Sequence, residues 1–145
     1  MSSKRPIVYL TRIESFSAAH RLHNKNLADE LNQTIFGKCN NPNGHGHNYK
    51  VEVTVKGPVD EHTGMVININ DLKSIINDTI MSVLDHKNID LDIGFFHENN
   101  VISTSENIAV FIWNSLEKRL PDRVQLHCIK LHETDKNIVE YKGEY

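Results

Sequence analysis

The sequence has little of what would tie it to a membrane, a nucleic acid or an oxidising compartment. It contains two cysteines in 145 residues, and its formal net charge is -3. It has no apolar run of the roughly 18–20 residues that a membrane-spanning helix needs, and no apolar leader segment follows its basic N-terminus. We therefore expect a cytoplasmic protein with free thiols, no nucleic-acid partner and no membrane partner.

The scarcity of cysteine does not prevent folding, because a chain of 145 residues can bury a core without disulfides or a structural metal. We expect a single domain over residues 1–145. Its first residues, about 1–5, are polar and basic, and we expect them to form a flexible tail.

Hydrophobic periodicity predicts the strands. Apolar and polar residues alternate from Tyr49 to Val55, which is typical of a strand buried on one side. An extended segment is also predicted from Ile7 to His20, and a short return strand over residues 65–69. A closing hairpin is predicted from residues 124–132 and 138–142. These segments would form an antiparallel sheet of about four strands with two open edges.

Two helices are predicted between these strands. The first would be capped by Asn68 or Asn70 and carries apolar residues at three- and four-residue spacing over 72–84. The second begins with a capping-box spacing over residues 103–106. Residues 90–100 are expected to form an irregular connection. The element order indicates an α+β fold with both helices on one face of the sheet.

Histidines supply the first candidate chemistry. His45 and His47 stand two positions apart beside the predicted strand, so their side chains would lie on one face. His20, near the end of the first predicted strand, is our candidate for a third ligand. Three imidazoles without a fourth protein ligand are typical of a catalytic zinc site, whereas additional ligation by Cys39 would make the site structural. Surface or hydrogen-bonded histidines are the alternative.

The thiol of Cys39 has three interpretations: a zinc ligand, an inert buried group or a reactive thiolate. A reactive thiolate needs a base, and Asp85 and His86 could supply one if the carboxylate fixes the imidazole tautomer. The alternative role of His86 is to stabilise the C-terminus of the preceding helix. Glu133, judged by position alone, is a solvated hairpin residue.

Together, these motifs resemble those of the 6-pyruvoyl-tetrahydropterin synthase family over essentially the whole chain. The matching segments are residues 16–22, 37–49, 63–66, 84–88, 103–107 and 133–135. The resemblance implies a tunnelling fold (T-fold), in which three subunits join their four-stranded sheets into one twelve-stranded barrel with the helices outside. It also implies that two trimers stack into a homo-hexamer, with sites at subunit interfaces.

The resemblance implies a lyase that converts 7,8-dihydroneopterin triphosphate into 6-pyruvoyl-5,6,7,8-tetrahydropterin and triphosphate, in tetrahydrobiopterin biosynthesis. Glu133 would hold the pterin ring by accepting two parallel donors in a fork. The implied ligands of Zn2+ are His20, His45 and His47; the implied catalytic residues are Cys39, His86, Asp85 and Glu133; the further pterin contacts are Thr104, Ser105 and Glu106.

The spacing of the thiol separates relatives within the family. Cys39 stands six positions before His45, as in the pyruvoyl branch, whereas a gap of four marks 6-carboxy-tetrahydropterin synthase of queuosine biosynthesis. We therefore predict the pyruvoyl reaction; the alternatives are the carboxy reaction and a non-enzymatic, zinc-stabilised interaction module. Several basic residues could contact the triphosphate, and of these we predict Arg21; the others are Arg12, Lys25 and Lys38.

Overall fold

The computed structural model describes residues 4–145, so residues 1–3 of the predicted tail lie outside the described residues. Arg5, also within that predicted tail, forms an ion pair with Glu61. The strands are β1 (Ile7–His20), β2 (His45–Pro58), β3 (Lys87–Asn88), β4 (Gln125–His132) and β5 (Ile138–Tyr141). The helices are α1 (Asp29–Phe36), α2 (Ile69–Ile76), α3 (Ser82–Leu84), α4 (Ile89–Asp92), α5 (Gly94–Asn99) and α6 (Ser105–Glu117).

The strands form one sheet in the order β3-β1-β2-β4-β5. β1 and β2 pair antiparallel along their whole length, which sets His20 opposite His45. The prediction of a four-stranded sheet is wrong in its count, because β3 pairs in parallel with Ala18 and Ala19 at the edge of β1. A strand of two residues carries no hydrophobic periodicity, so the pattern of the sequence could not reveal it.

The core lies between one face of the sheet and the helices. Alternate side chains of β2 are fully buried on this face, as their periodicity predicted. Each such aliphatic side chain contributes about 1.5–3 kcal/mol through burial. α2 and α6 pack on the same face as part of one apolar cluster, which confirms their predicted placement; its buried members include Val51, Val53, Leu72, Ile76, Ile108 and Ile112.

The first predicted helix is a continuous helical segment from α2 through α3. It begins after Asn68, whose side chain accepts a hydrogen bond from the backbone N–H of Asn70 at 2.8 Å. The linking residues 77–81 are π-helical, and this wider turn keeps every fourth side chain on the buried face. The segment ends directly before Asp85. The buried side chains at four-residue steps are Leu72, Ile76, Ile80 and Leu84.

Two connections differ from their predictions. Residues 65–69 do not form a strand, because the backbone bends under buried Val66 and Ile67 before α2 begins. Residues 90–100 are not irregular, because Asn88 caps α4 by accepting two backbone N–H groups, and Phe96 anchors α5 in the core. Among residues 4–145, no helix is both long and apolar enough to cross a membrane.

Candidate metal centre and its surroundings

Three histidines meet where β1 and β2 pair. Strand alternation puts His45 and His47 on the same face, and the register sets His20 opposite His45. Each of the three offers a ring nitrogen, and these nitrogens all lie within 4.8 Å of one another. The ring centroid of His20 is 4.7 Å from that of His45 and 5.3 Å from that of His47. The sequence predicted this set of residues, and the fold brings it together.

A glycine turn allows the close approach of these strands. Gly44 has a φ of 74°, which favours glycine, and a Cβ added there would lie 2.9 Å from the backbone oxygen of His20. Any other residue would therefore clash with the end of β1. The turn preceding His45 depends on this glycine to place the imidazole opposite His20.

The chemistry of the three imidazoles fits a metal ion. His20 is 1% exposed, and its Nδ1–H donates to the backbone oxygen of Ser103 at 2.7 Å, which leaves the Nε2 lone pair free. Burial is the main cause that lowers the pKa of His20 and of His45, so both favour the neutral, metal-binding form. Cys39 is not part of the cluster, so a metal ion bound here would have three imidazole ligands from the described residues.

Buried polar atoms without a partner also concentrate here. Within residues 4–145, the buried side-chain nitrogen and oxygen atoms that make no hydrogen bond are His20 Nε2, His45 Nδ1 and the Tyr49 hydroxyl oxygen. A metal ion held by the triad would satisfy His20 Nε2, the nitrogen left free by the hydrogen bond to Ser103. Burial, followed by the carboxylates of Glu133 and Asp90, raises the pKa of Tyr49, so its hydroxyl keeps its proton.

Tyr49 was missed as a site residue, although it continues the i, i+2 spacing of His45 and His47 along one strand face. Its ring centroid lies 5.5 Å from that of His47. Asp90 and Ser103 were also missed. Both lie far from the histidine motif in sequence, so no spacing could have revealed them.

Glu133 lies beside the histidine cluster. Its Oε2 accepts a hydrogen bond from the Ser105 hydroxyl at 2.7 Å, and its charge acts on His20 and His45. Glu133 is half-buried beside the site. The interpretation from its position in the sequence alone, a solvated hairpin residue, is therefore wrong. The two remaining predicted pterin contacts surround Ser105: Thr104 is the N-cap of α6, one residue later than the predicted cap, and Glu106 is exposed in the first turn.

Asp85 and His86 form the predicted pair at the end of α3. Asp85 Oδ2 lies 2.9 Å from His86 Nδ1, and its Oδ1 accepts the backbone N–H of Ser17. These contacts hold the pKa of Asp85 below its usual value, the Ser17 N–H being the larger cause. The His86 side chain is 82% exposed, and its backbone has a φ of 62°. Among the described residues, no hydrogen bond joins Cys39 to this pair.

Arg21 lines a cavity of about 360 Å³ beside the triad. Its guanidinium Nε donates to the backbone oxygen of Asn40 at 2.9 Å, and its backbone N–H donates to Asp90. His23 and Lys25 line the same cavity. Of the other two basic candidates, Arg12 pairs with Glu14, whereas Lys38 lines a second cavity that Arg21 also lines.

Comparison with known proteins places this geometry in a family. Residues 9–144 match the family described as 6-pyruvoyl tetrahydropterin synthase. The chain is 57% identical over 138 residues to the 6-pyruvoyl tetrahydrobiopterin synthase of Poecilia reticulata, covering 95% of this chain and 92% of that one. Its identity to the Homo sapiens protein of the same name is 58% over 135 residues, covering 93% and 91%. A solved structure of Caenorhabditis elegans 6-pyruvoyl tetrahydropterin synthase superposes with a TM-score of 0.92 at 43% identity, covering 99% and 100%.

Proposed function

The chain belongs to the 6-pyruvoyl tetrahydropterin synthase family, and we propose that it converts 7,8-dihydroneopterin triphosphate into 6-pyruvoyl-5,6,7,8-tetrahydropterin and triphosphate in a zinc-dependent reaction. It is an enzyme of tetrahydrobiopterin synthesis, the role that gives its name to relatives of 52% to 58% identity. The single observation that supports the proposed zinc dependence is the histidine triad, because two of its buried nitrogens have no hydrogen-bond partner in the protein.

His20, His45 and His47 would hold the zinc ion. When bound, such an ion supplies a Lewis acid that makes a coordinated hydroxyl and the adjacent C–H more acidic. His20 is buried, His45 and His47 are half-buried, and the carbonyl of Ser103 fixes the tautomer of His20. The protein therefore contributes a preorganised set of imidazole ligands that needs little rearrangement on binding.

Cys39, His86 and Asp85 would move the protons. Asp85 holds the Nδ1–H of His86, so that Nε2 can take up a proton and pass it on. Among the described residues, no hydrogen bond joins Cys39 to His86, and the His86 side chain is exposed. We infer that the two groups meet at a subunit interface, where a thiol from one subunit faces an imidazole from another.

The assembly inferred is a twelve-stranded barrel in which each of three subunits contributes its four longer strands, β1, β2, β4 and β5, and two such trimers form a hexamer. This inference is supported by the edge of β1, where β3 covers only Ala18 and Ala19. Strands with an uncovered edge and apolar side chains need a partner. The exposed apolar residues of this edge strand are Ile7, Val8, Tyr9 and Ile13.

Glu133 would orient the pterin, because its carboxylate can accept the two parallel donors of the ring edge. Its hydrogen bond with Ser105 keeps the carboxylate beside the triad. Thr104 and Glu106, in the first turn of α6, would be further contacts. Arg21 would bind the triphosphate, because its side chain lines two cavities and each contains a second cation, Lys25 in one and Lys38 in the other.

Turnover of the predicted substrate tests this function. Purified protein loaded with zinc should release triphosphate from 7,8-dihydroneopterin triphosphate, and chelation of the zinc should stop the release. No release from the zinc-loaded protein would contradict the proposal. Acetaldehyde among the products would indicate the carboxy reaction instead. Zinc binding without any turnover would favour the non-enzymatic module.

A further inference from the structure

The Tyr49 hydroxyl is the third unpartnered buried atom of the metal centre. Tyr49 is 0% exposed. Its ring stacks on Phe16, with centroids 5.0 Å apart and an interplanar angle of 14°. It also packs edge-to-face against His47. The phenol ring is therefore fixed on both sides, and its hydroxyl has a set position in the core.

A buried hydroxyl without a partner destabilises the folded state, because it gives up its hydrogen bonds to water and gains none. Phenylalanine would fill the same space at position 49 without this cost. Buried polar groups are otherwise almost always paired. The other two unpartnered atoms belong to the candidate metal ligands His20 and His45. The three unpartnered atoms therefore lie around one site. This indicates that a ligand bound at the site also provides a hydrogen-bond partner for the Tyr49 hydroxyl.

We propose that Tyr49 is a positioning residue whose hydroxyl donates a hydrogen bond to the side-chain oxygen of the pterin substrate when that oxygen enters the site beside the three histidines. This role rests on the proposed function, because it requires a pterin with side-chain hydroxyls. Glu133 holds one end of the substrate, and Tyr49 holds the other end. Glu133 and Tyr49 together fix the orientation of the substrate's side chain relative to the triad.

The test compares wild-type protein with Tyr49→Phe by two measurements. The first is chemical unfolding of the metal-free protein, in which the variant should be at least as stable as the wild type, because the hydroxyl has no partner to lose. The second is equilibrium binding of neopterin to the zinc-loaded protein. The variant should bind neopterin about 3- to 10-fold more weakly, the value of one hydrogen bond, and its zinc affinity should equal that of the wild type.

Two controls isolate the hydroxyl. 6-Methylpterin has no side-chain oxygen, so wild type and Tyr49→Phe should bind it equally. Tyr9→Phe makes the same chemical change at a residue that is 53% exposed on β1, and it should leave neopterin binding unchanged.

Four results would overturn the role of Tyr49. A less stable metal-free variant would show that the hydroxyl already has an internal partner. A variant with weaker zinc binding would show that Tyr49 acts on the ion. Equal neopterin affinities in wild type and variant would show that the hydroxyl does not contact the ligand. Failure of wild-type protein to bind neopterin would overturn the proposed function as well, so the two failures can be told apart.

Discussion

The histidine triad and the Asp85–His86 pair contain the same chemical group in opposite settings. His20 is 1% exposed, and its donor nitrogen is bound to a carbonyl. The His86 side chain is 82% exposed, with Asp85 as its hydrogen-bonded neighbour. The three imidazoles of the triad come together within one chain. The pair has an orienting carboxylate, but among the described residues no hydrogen bond joins it to a thiol.

This difference separates the two roles that we propose, metal binding by the triad and proton transfer by Cys39 and the Asp85–His86 pair. Metal binding needs ligands held by a buried, rigid frame, and paired strands provide it. Proton transfer needs a group that can approach a second partner, and a left-handed residue at the end of a helix leaves His86 exposed for such an approach. The predictions below test whether the two regions act independently.

The largest effect is expected at the thiol. Cys39→Ala should lower turnover by about 10²- to 10⁴-fold, the range for loss of a general acid–base group, and should leave the zinc content unchanged. Steady-state kinetics and metal analysis measure the two quantities. Cys128→Ala, which removes the other free thiol, is the control and should keep its turnover. Loss of zinc together with turnover would show that Cys39 is a ligand.

Mixing two inactive variants tests whether the Cys39 thiol and the His86 imidazole of one site come from different subunits. Cys39→Ala and His86→Ala subunits, unfolded and refolded together, should regain activity in up to about a quarter of the sites if thiol and imidazole come from different subunits. Each variant refolded alone should stay inactive. If mixing restores nothing, the pair and the thiol act within one chain.

His47→Ala should have the next largest effect, this time on the triad alone. Loss of a ligand should weaken zinc binding by more than the roughly 10- to 100-fold that outer-shell changes cause. Competition with a chelator of known affinity measures the constant. The control is His62→Ala, because the His62 side chain is 84% exposed. Unchanged zinc affinity in His47→Ala would remove it from the ligand set.

Glu133→Gln should have a moderate effect beside the triad. The amide offers one acceptor where the carboxylate offers two, so the affinity for neopterin should fall about 10-fold while zinc binding stays constant. Isothermal titration measures both. Asp135→Asn neutralises an exposed carboxylate of the same hairpin and is the matched control. Equal neopterin affinity would argue against the fork.

The smallest effect is expected from Asp85→Asn on stability. Because the folded state lowers the pKa of Asp85 from its ordinary 3.8, the folded chain binds fewer protons, and this stabilisation exists above that value. It is lost as the pH falls through the folded pKa. The variant should therefore be slightly less stable near neutral pH, and the difference should shrink in acid. Urea unfolding across pH measures it, with exposed Asp122→Asn as control. A difference in stability that stays the same at every pH would contradict the lowered pKa of Asp85.

Much of the fold could be predicted because its signals are local. The alternation from Tyr49 to Val55 and the helical spacing over 72–84 each reflect a single buried face. The two-residue strand β3 and the short helices α4 and α5 could not be predicted in this way. They depend on what packs against them, and a segment of a few residues has no period to detect.

The sequence by itself determined the chemistry of this protein: which residues carry imidazole, thiol and carboxylate groups, and that strand alternation puts His45 and His47 on one face. Only the tertiary structure decided which of these groups meet. The β1–β2 register brings His20 to His45 across 25 residues, and α6 brings Ser105 to Glu133. Both pairings result from packing between distant segments, which spacing along the chain does not record. The same packing left the Tyr49 hydroxyl without a partner beside the triad.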